Sequence, residues 1–136
     1  MSQENVELVR RGTQSVEAFW ELLDEYVVWD LRGRPAFDVD GVYVGRDAVI
    51  AASRHYWGTW DDYSLDVEEL IEAGSSVVVV VRERGRGKSS GAPFDERWAQ
   101  VWTFHRGRII RWENFRDKEA ALEAVGLSEE DAHADP

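Results

Sequence analysis

Five consecutive valines, Val77 to Val81, constrain this chain more than any other feature. Side chains branched at Cβ lose rotamer freedom in a helix and pack well on a pleated surface, so SSVVVVVRER predicts a strand. The segments after it repeat the signal. In ERWAQVWTFH, Trp98, Gln100, Trp102 and Phe104 fall on one face, and Arg97, Ala99, Val101 and Thr103 on the other. Arg106-Gly107 reads as a tight turn into RIIRWENF, where Ile110, Trp112 and Asn114 share a face. Upstream, Ser64–Glu72 alternates loosely as a further strand, joined to the valines by the turn AGSS. The basic stretch RERGRGKSSG matches neither a phosphate-binding loop nor a glycine-rich turn opening a helix, and reads as a solvated hairpin loop.

Before these strands the period is different. Val6, Val9, Thr13, Val16, Trp20, Leu23 and Val27 step by three and four, a helical stripe over residues 3–24. Gly12 interrupts it, leaving one long helix and two short ones both open. YVVWDLRG predicts a strand at 27–32 ended by Gly33, followed by a loop holding Pro35 and Gly41. GRDAV opens a second helical segment over 46–58, and KEAALEAVGL reads as a short closing helix. The acidic SEEDAHADP is expected to be a disordered tail, so the chain divides into one domain, 1–127, and a tail, 128–136. Helices first, then strands joined by short turns, predict an α+β fold with helices on one face of a curved, mostly antiparallel sheet.

Composition limits the partners. A chain of 136 residues with 16 basic and 27 acidic side chains, net charge −11, repels nucleic acid and anionic membranes, so neither is expected as a partner. No apolar run reaches membrane-spanning length, and MSQENVELVRRG lacks the apolar core of a signal segment. Zero cysteines exclude disulfides, thiolate metal sites and thiol catalysis, which fits the cytoplasm. No two of the three histidines have metal-ligand spacing, so neither metal nor cofactor is expected. Seven tryptophans in so short a chain imply a large aromatic core or an apolar cavity.

Asp30 does not fit its apolar strand, because burying an unpaired carboxylate costs several kcal/mol. Three roles account for it: a solvated rim residue, an ion-pair partner of Arg82 or Arg84, or a base in a pocket.

The segments SQENVELVRRG, YVVWDLRG, GVYVGRDAV and RWAQVWTFHRGRIIRWENFRDKEAALEAVGL together resemble a SnoaL-like protein. That group belongs to the nuclear-transport-factor-two-like superfamily (cystatin-like, including ketosteroid isomerases and polyketide cyclases). The resemblance implies a cone-shaped, highly curved sheet with the N-terminal helices on its concave face, and a homodimer paired through the outer face. Glu83, Arg97, Arg111 and Glu113 are expected on that outer face. Into the pocket it points Val28 and Asp30; Val80, Arg82 and Arg84; Trp98, Gln100, Trp102 and Phe104; and Ile110, Trp112 and Asn114. RRGTQSVEAFW is several residues shorter than the family's usual helical entry.

Catalytic templates within the superfamily match in pieces. Asp30 falls on the strand where ketosteroid isomerases carry their aspartate base, with Gln100 in place of an oxyanion donor and Gly12 in place of the tyrosine. Limonene-type epoxide hydrolases keep only an arginine, at Arg82; Arg84 and Asn114 stand where their carboxylates belong. SnoaL-type cyclases place an aspartate where this chain has Asn114. Two functions follow. One is a cofactor-free isomerase or cyclase working by proton transfer on a small apolar carbonyl compound, with Asp30 the base and Gln100 or Arg82 facing the oxyanion. The other is a non-catalytic module holding a small apolar or aromatic molecule, with Arg82 and Arg84 capturing any negative charge.

Overall fold

The computed structural model describes residues 2–36 and 39–128. The chain runs α1 (Ser2–Gly12), α2 (Val16–Leu22), β1 (Leu23–Gly33), β2 (Val42–Val44), α3 (Arg46–Gly58), β3 (Trp60–Ala73), β4 (Ser76–Gly87), β5 (Pro93–His105), β6 (Arg108–Phe115) and α4 (Lys118–Ala124). The strands form one six-stranded sheet, curved and unclosed, in the order β2-β1-β6-β5-β4-β3. Only β1 and β6 pair in parallel. The α+β architecture is therefore as expected. β2, inside a segment read as loop, is the addition.

The N-terminal stripe resolves into two helices. After Gly12 the chain turns, and Ser15 caps α2 by accepting from the Ala18 N–H at 3.0 Å. A Cβ on Gly12 would sit 2.8 Å from Leu22 Cδ1 and 3.1 Å from Trp102, so glycine lets α1 close on the sheet. Val6 and Val9 of α1, Phe19 and Leu22 of α2, and Val49, Ala52 and Tyr56 of α3 pack on the concave face. There they meet Trp29, Val77, Val79, Val81, Trp98, Trp102, Ile109 and Trp112. The closing helix lies on the opposite face, where Ala121 and Leu122 cover Val78, Ala99 and Val101. The valine run is thus buried on both sides, and for that reason its sequence carries no alternation.

Pairing sets the phase of each strand and corrects three expectations. Val79 lies opposite Gln100 and Val81 opposite Trp98, so Val77, Val79, Val81 and Glu83 face inward. Val80, Arg82 and Arg84 face out, not into the pocket. Trp29 of β1 stacks on Trp112 with ring centroids 4.0 Å apart, which turns its neighbours Val28 and Asp30 to the outer face. On β6, Phe104 is opposite Ile109 and Thr103 opposite Arg111, leaving Ile110 as a bulged extra residue. Ile109 is fully buried and Ile110 is exposed, the reverse of simple alternation. The expected disordered tail lies outside the described residues from 129 onward.

Candidate functional site

The concave face carries three buried polar residues, Glu83, Gln100 and Asn114, and four tryptophans donate to them. Trp98 Nε1 donates to Glu83 Oε1 at 3.1 Å. Trp102 and Trp112 both donate to Gln100 Oε1, at 2.6 and 3.0 Å. Trp29 Nε1 donates to Asn114 Oδ1 at 3.2 Å. An indole N–H can only donate, so each bond fixes which end of its partner faces the ring. The Gln100 oxygen is therefore taken, and the end of its amide left to meet a ligand is the donor end. Asn114 is held at both ends, since its Nδ2 donates to the Arg34 carbonyl at 3.4 Å.

Glu83 is the residue that sequence reasoning missed. It is 1% exposed and accepts from Tyr56 Oη at 3.0 Å and Tyr63 Oη at 2.5 Å besides Trp98. Tyr56 comes from α3. Tyr63 comes from β3, where residues 62 and 63 occupy an irregular step in the pairing with β4 and Asp62 adopts φ 51°. Arg34 lies over the Trp98 ring, 4.2 Å from its centroid, and pairs with Glu96 at 2.7 Å. Burial raises the Glu83 carboxyl above the ordinary range, against the hydrogen bonds of Tyr63 and Tyr56 and the charge of Arg34. Burial first, then the neighbouring Glu83 carboxylate, pushes both tyrosine phenols far up, so they stay protonated.

These side chains enclose a chamber of about 30 Å³, bordered by Trp29, Trp57, Leu65 and Trp112 as well. On one side it adjoins a cleft of about 250 Å³ under the α1–α2 turn, walled by Phe19, Trp57, Tyr63, Gln100, Trp102 and Trp112. On the other it adjoins a groove of about 590 Å³ that shares Arg34 and Tyr56 with it. The chamber holds roughly one water molecule, so a ligand of any size belongs in the cleft or the groove.

Of the expected site residues, the structure brings together Trp98, Gln100, Trp102, Phe104, Trp112 and Asn114 on the concave face. Asp30 is placed elsewhere. On the outer face it accepts from Arg32 Nε and Nη2 at 3.0 and 2.8 Å and from Arg111 Nη2 at 2.7 Å. Those bonds from Arg32, outweighing burial, hold its carboxyl below the usual range and make it a poor base. Arg82 pairs with Asp95 at 2.7 Å and Arg84 with Asp66 at 2.6 Å, both outside. Neither arginine is the ion-pair partner expected for Asp30. Val28 and Val80 are half-buried on the outer face and Ile110 is exposed, so none of the three lines the chamber or the cleft. Among the described residues, no group of three or more His, Cys, Asp or Glu is placed to hold a metal ion, and no helix is long and apolar enough to cross a membrane.

The SnoaL-like domain family matches the chain over residues 6–112. No curated protein sequence matches it. Among solved structures it is similar to a nuclear-transport-factor-two-like protein from Burkholderia pseudomallei, 24% identical, covering 91% of this chain and 98% of the other, TM-score 0.73. It is also similar to TerC co-crystallised with polyporic acid (20% identity, 90% and 98% covered, TM-score 0.69). A third is a protein from a Jannaschia species assigned as a SnoaL-like polyketide cyclase (20% identity, 99% and 95% covered, TM-score 0.72). At these identities the structural likenesses establish the fold.

Proposed function

The chain belongs to the SnoaL-like domain family, and from that premise we propose that it binds a small aromatic or conjugated carbonyl compound and moves a proton on it without a cofactor. The observation that carries this reading is Glu83, a carboxyl buried behind a tryptophan-walled cleft with its proton affinity raised. Raising the proton affinity of a carboxyl in this way makes it a stronger general base. Glu83 takes the role first read onto Asp30, which its arginines neutralise. The Gln100 amide N–H faces the developing oxyanion, its oxygen held by two indoles. The cleft walls of Phe19, Trp57, Trp102 and Trp112 suit a flat ring. That TerC was crystallised with polyporic acid supports a ligand of this general kind. We place the activity in the cytoplasm, in keeping with a sequence that has no cysteine, and expect a homodimer from the family resemblance.

A bicyclic ketone, 2-tetralone, tests the chemistry, since replacement of its α-hydrogens by deuterium in D₂O reports proton abstraction directly. The protein is expected to accelerate this exchange, and Glu83→Gln to lower it by about 10²- to 10⁴-fold while 2-naphthol still quenches tryptophan fluorescence. Quenching without any acceleration selects the second reading, a non-catalytic binding module. One observation favours that alternative: every oxygen of Glu83 and Asn114 already has a partner inside the protein.

A further inference from the structure

Glu83 borders the 30 Å³ chamber but not the 250 Å³ cleft where a two-ring ligand has room. Something must connect them. Tyr63 borders both, and its hydroxyl is 2.5 Å from Glu83 Oε2. Tyr56 makes the matching bond to Oε1, yet it borders the chamber and the groove and not the cleft. Two tyrosines thus hold one carboxylate, and only one of them reaches the ligand's side. The irregular step in β3 around Asp62 is what brings Tyr63 to that position.

Resting on the reading of Glu83 as the proton-transferring carboxylate, we infer that Tyr63 is a catalytic residue, the group that meets the substrate and relays its proton to Glu83. With the ketone oxygen on the Gln100 N–H, the C–H bond next to the carbonyl breaks and its proton goes to Tyr63 Oη. In the same step the phenol's own proton passes to Glu83 Oε2. The electron pair of the C–H bond becomes the new C=C bond of the enolate. The negative charge leaves the carboxylate and appears on the enolate oxygen opposite Gln100. Running the relay backwards onto a different carbon completes an isomerisation and restores every group, with no oxidant or reductant consumed. Tyr63 never becomes a free phenolate, as its strongly raised proton affinity requires. The substrate class is thereby narrowed to enolisable carbonyl compounds whose acidic carbon and oxygen both fit the cleft side of the barrier formed by Tyr63.

The intact 136-residue chain and three variants decide the matter, using 2-tetralone deuteration by proton NMR and 2-naphthol quenching. Tyr63→Phe is expected to lose about 10²-fold or more in exchange rate, like Glu83→Gln, with 2-naphthol affinity changed by less than about threefold. Tyr56→Phe removes an equivalent bond to Glu83 and is expected to lose at least about tenfold less. If Tyr63→Phe retains the exchange that Glu83→Gln loses, the proton reaches Glu83 by another route and the relay is overturned, while the role of Glu83 stands. If Glu83→Gln itself retains exchange, that earlier reading fails instead. Should Tyr63→Phe not fold, 3-fluorotyrosine at position 63 keeps the hydroxyl and alters its acidity. A changed exchange rate there and not at position 56 supports the relay, and an unchanged rate overturns it.

Discussion

At the scale of single residues, two buried carboxylates of opposite tendency divide the protein's pH response. Asp30 has its proton affinity lowered by Arg32, so the unfolded chain binds the proton more tightly than the folded one. Its contribution is present above the ordinary value of 3.8 and is lost as pH falls through the lower folded value. Asp30→Asn is therefore expected to cost about 2 kcal/mol at pH 7 and progressively less as pH falls below 3.8, read by urea unfolding across that range. Glu83 works the other way. With its folded value raised, stability declines as pH rises from its ordinary 4.5 through the folded value, because the unfolded chain releases the proton first. Glu83→Gln should flatten the fall in unfolding free energy between pH 5 and pH 8, even if the absolute stability drops. A Glu83→Gln protein that keeps the full slope would mean that burial does not control this carboxyl.

At the scale of elements, the strands differ in how openly they declare their inner face. On β5 the outer positions include Arg97 and Thr103 and the inner ones are aromatic or amide, so alternation separates the two sets, and the family resemblance is what assigns the aromatic set to the concave side. On β4 it cannot. The valines are covered by α-helices on one side and α4 on the other, which erases the period and leaves Arg82-Glu83-Arg84 ambiguous. The phase comes only from pairing with β5, which sets Val79 opposite Gln100 and Val81 opposite Trp98 across two strands. Ile110 shows the remaining limit, since a single bulge reverses the faces of everything before it on β6. The helix at 46–58 is legible because its opening, GRDAV with Arg46-Asp47 at a polar entry, is a local signal. Two substitutions test the packing these elements create. Leu122→Ala should cost about 2–4 kcal/mol, since Leu122 is 1% exposed over Val78, Ala99 and Val101. Gly33→Ala should cost about 2–3 kcal/mol by thermal or urea unfolding, because its Cβ would run into the Asn114 carbonyl oxygen. That clash is with backbone and cannot be relieved by a rotamer change. It also displaces the strand end from which Arg34 reaches over Trp98.

At the scale of the whole molecule, the sheet separates two chemistries. Its concave side holds the aromatic cleft and Glu83, while its outer side holds the ion pairs of Asp30, Arg82, Arg84 and Arg97. Between those pairs the outer side is not uniformly polar. Val42 and Val44 of β2 are 43% and 65% exposed, they lie opposite Asp30 and Val28, and Ile110 is exposed on β6 nearby. Glu83, once counted with this face, belongs to the other, so the surface left for a second copy is less acidic than the sequence suggested. With a net charge of −11, two copies repel at long range, and apolar contact has to overcome that repulsion. Pairing through this face should therefore strengthen as salt screens the charge, the reverse of an interface held by ion pairs. Sedimentation at tens of micromolar is expected to give a dimer whose dissociation constant falls between 50 and 500 mM NaCl. Val44→Glu should give a monomer that keeps 2-tetralone exchange, because Val44 lies on the face away from the cleft. A wild-type monomer at both salt concentrations would leave Val42, Val44 and Ile110 as ordinary exposed side chains. Loss of exchange in a folded Val44→Glu monomer would instead tie the cleft to the assembly, since no part of that side chain reaches it.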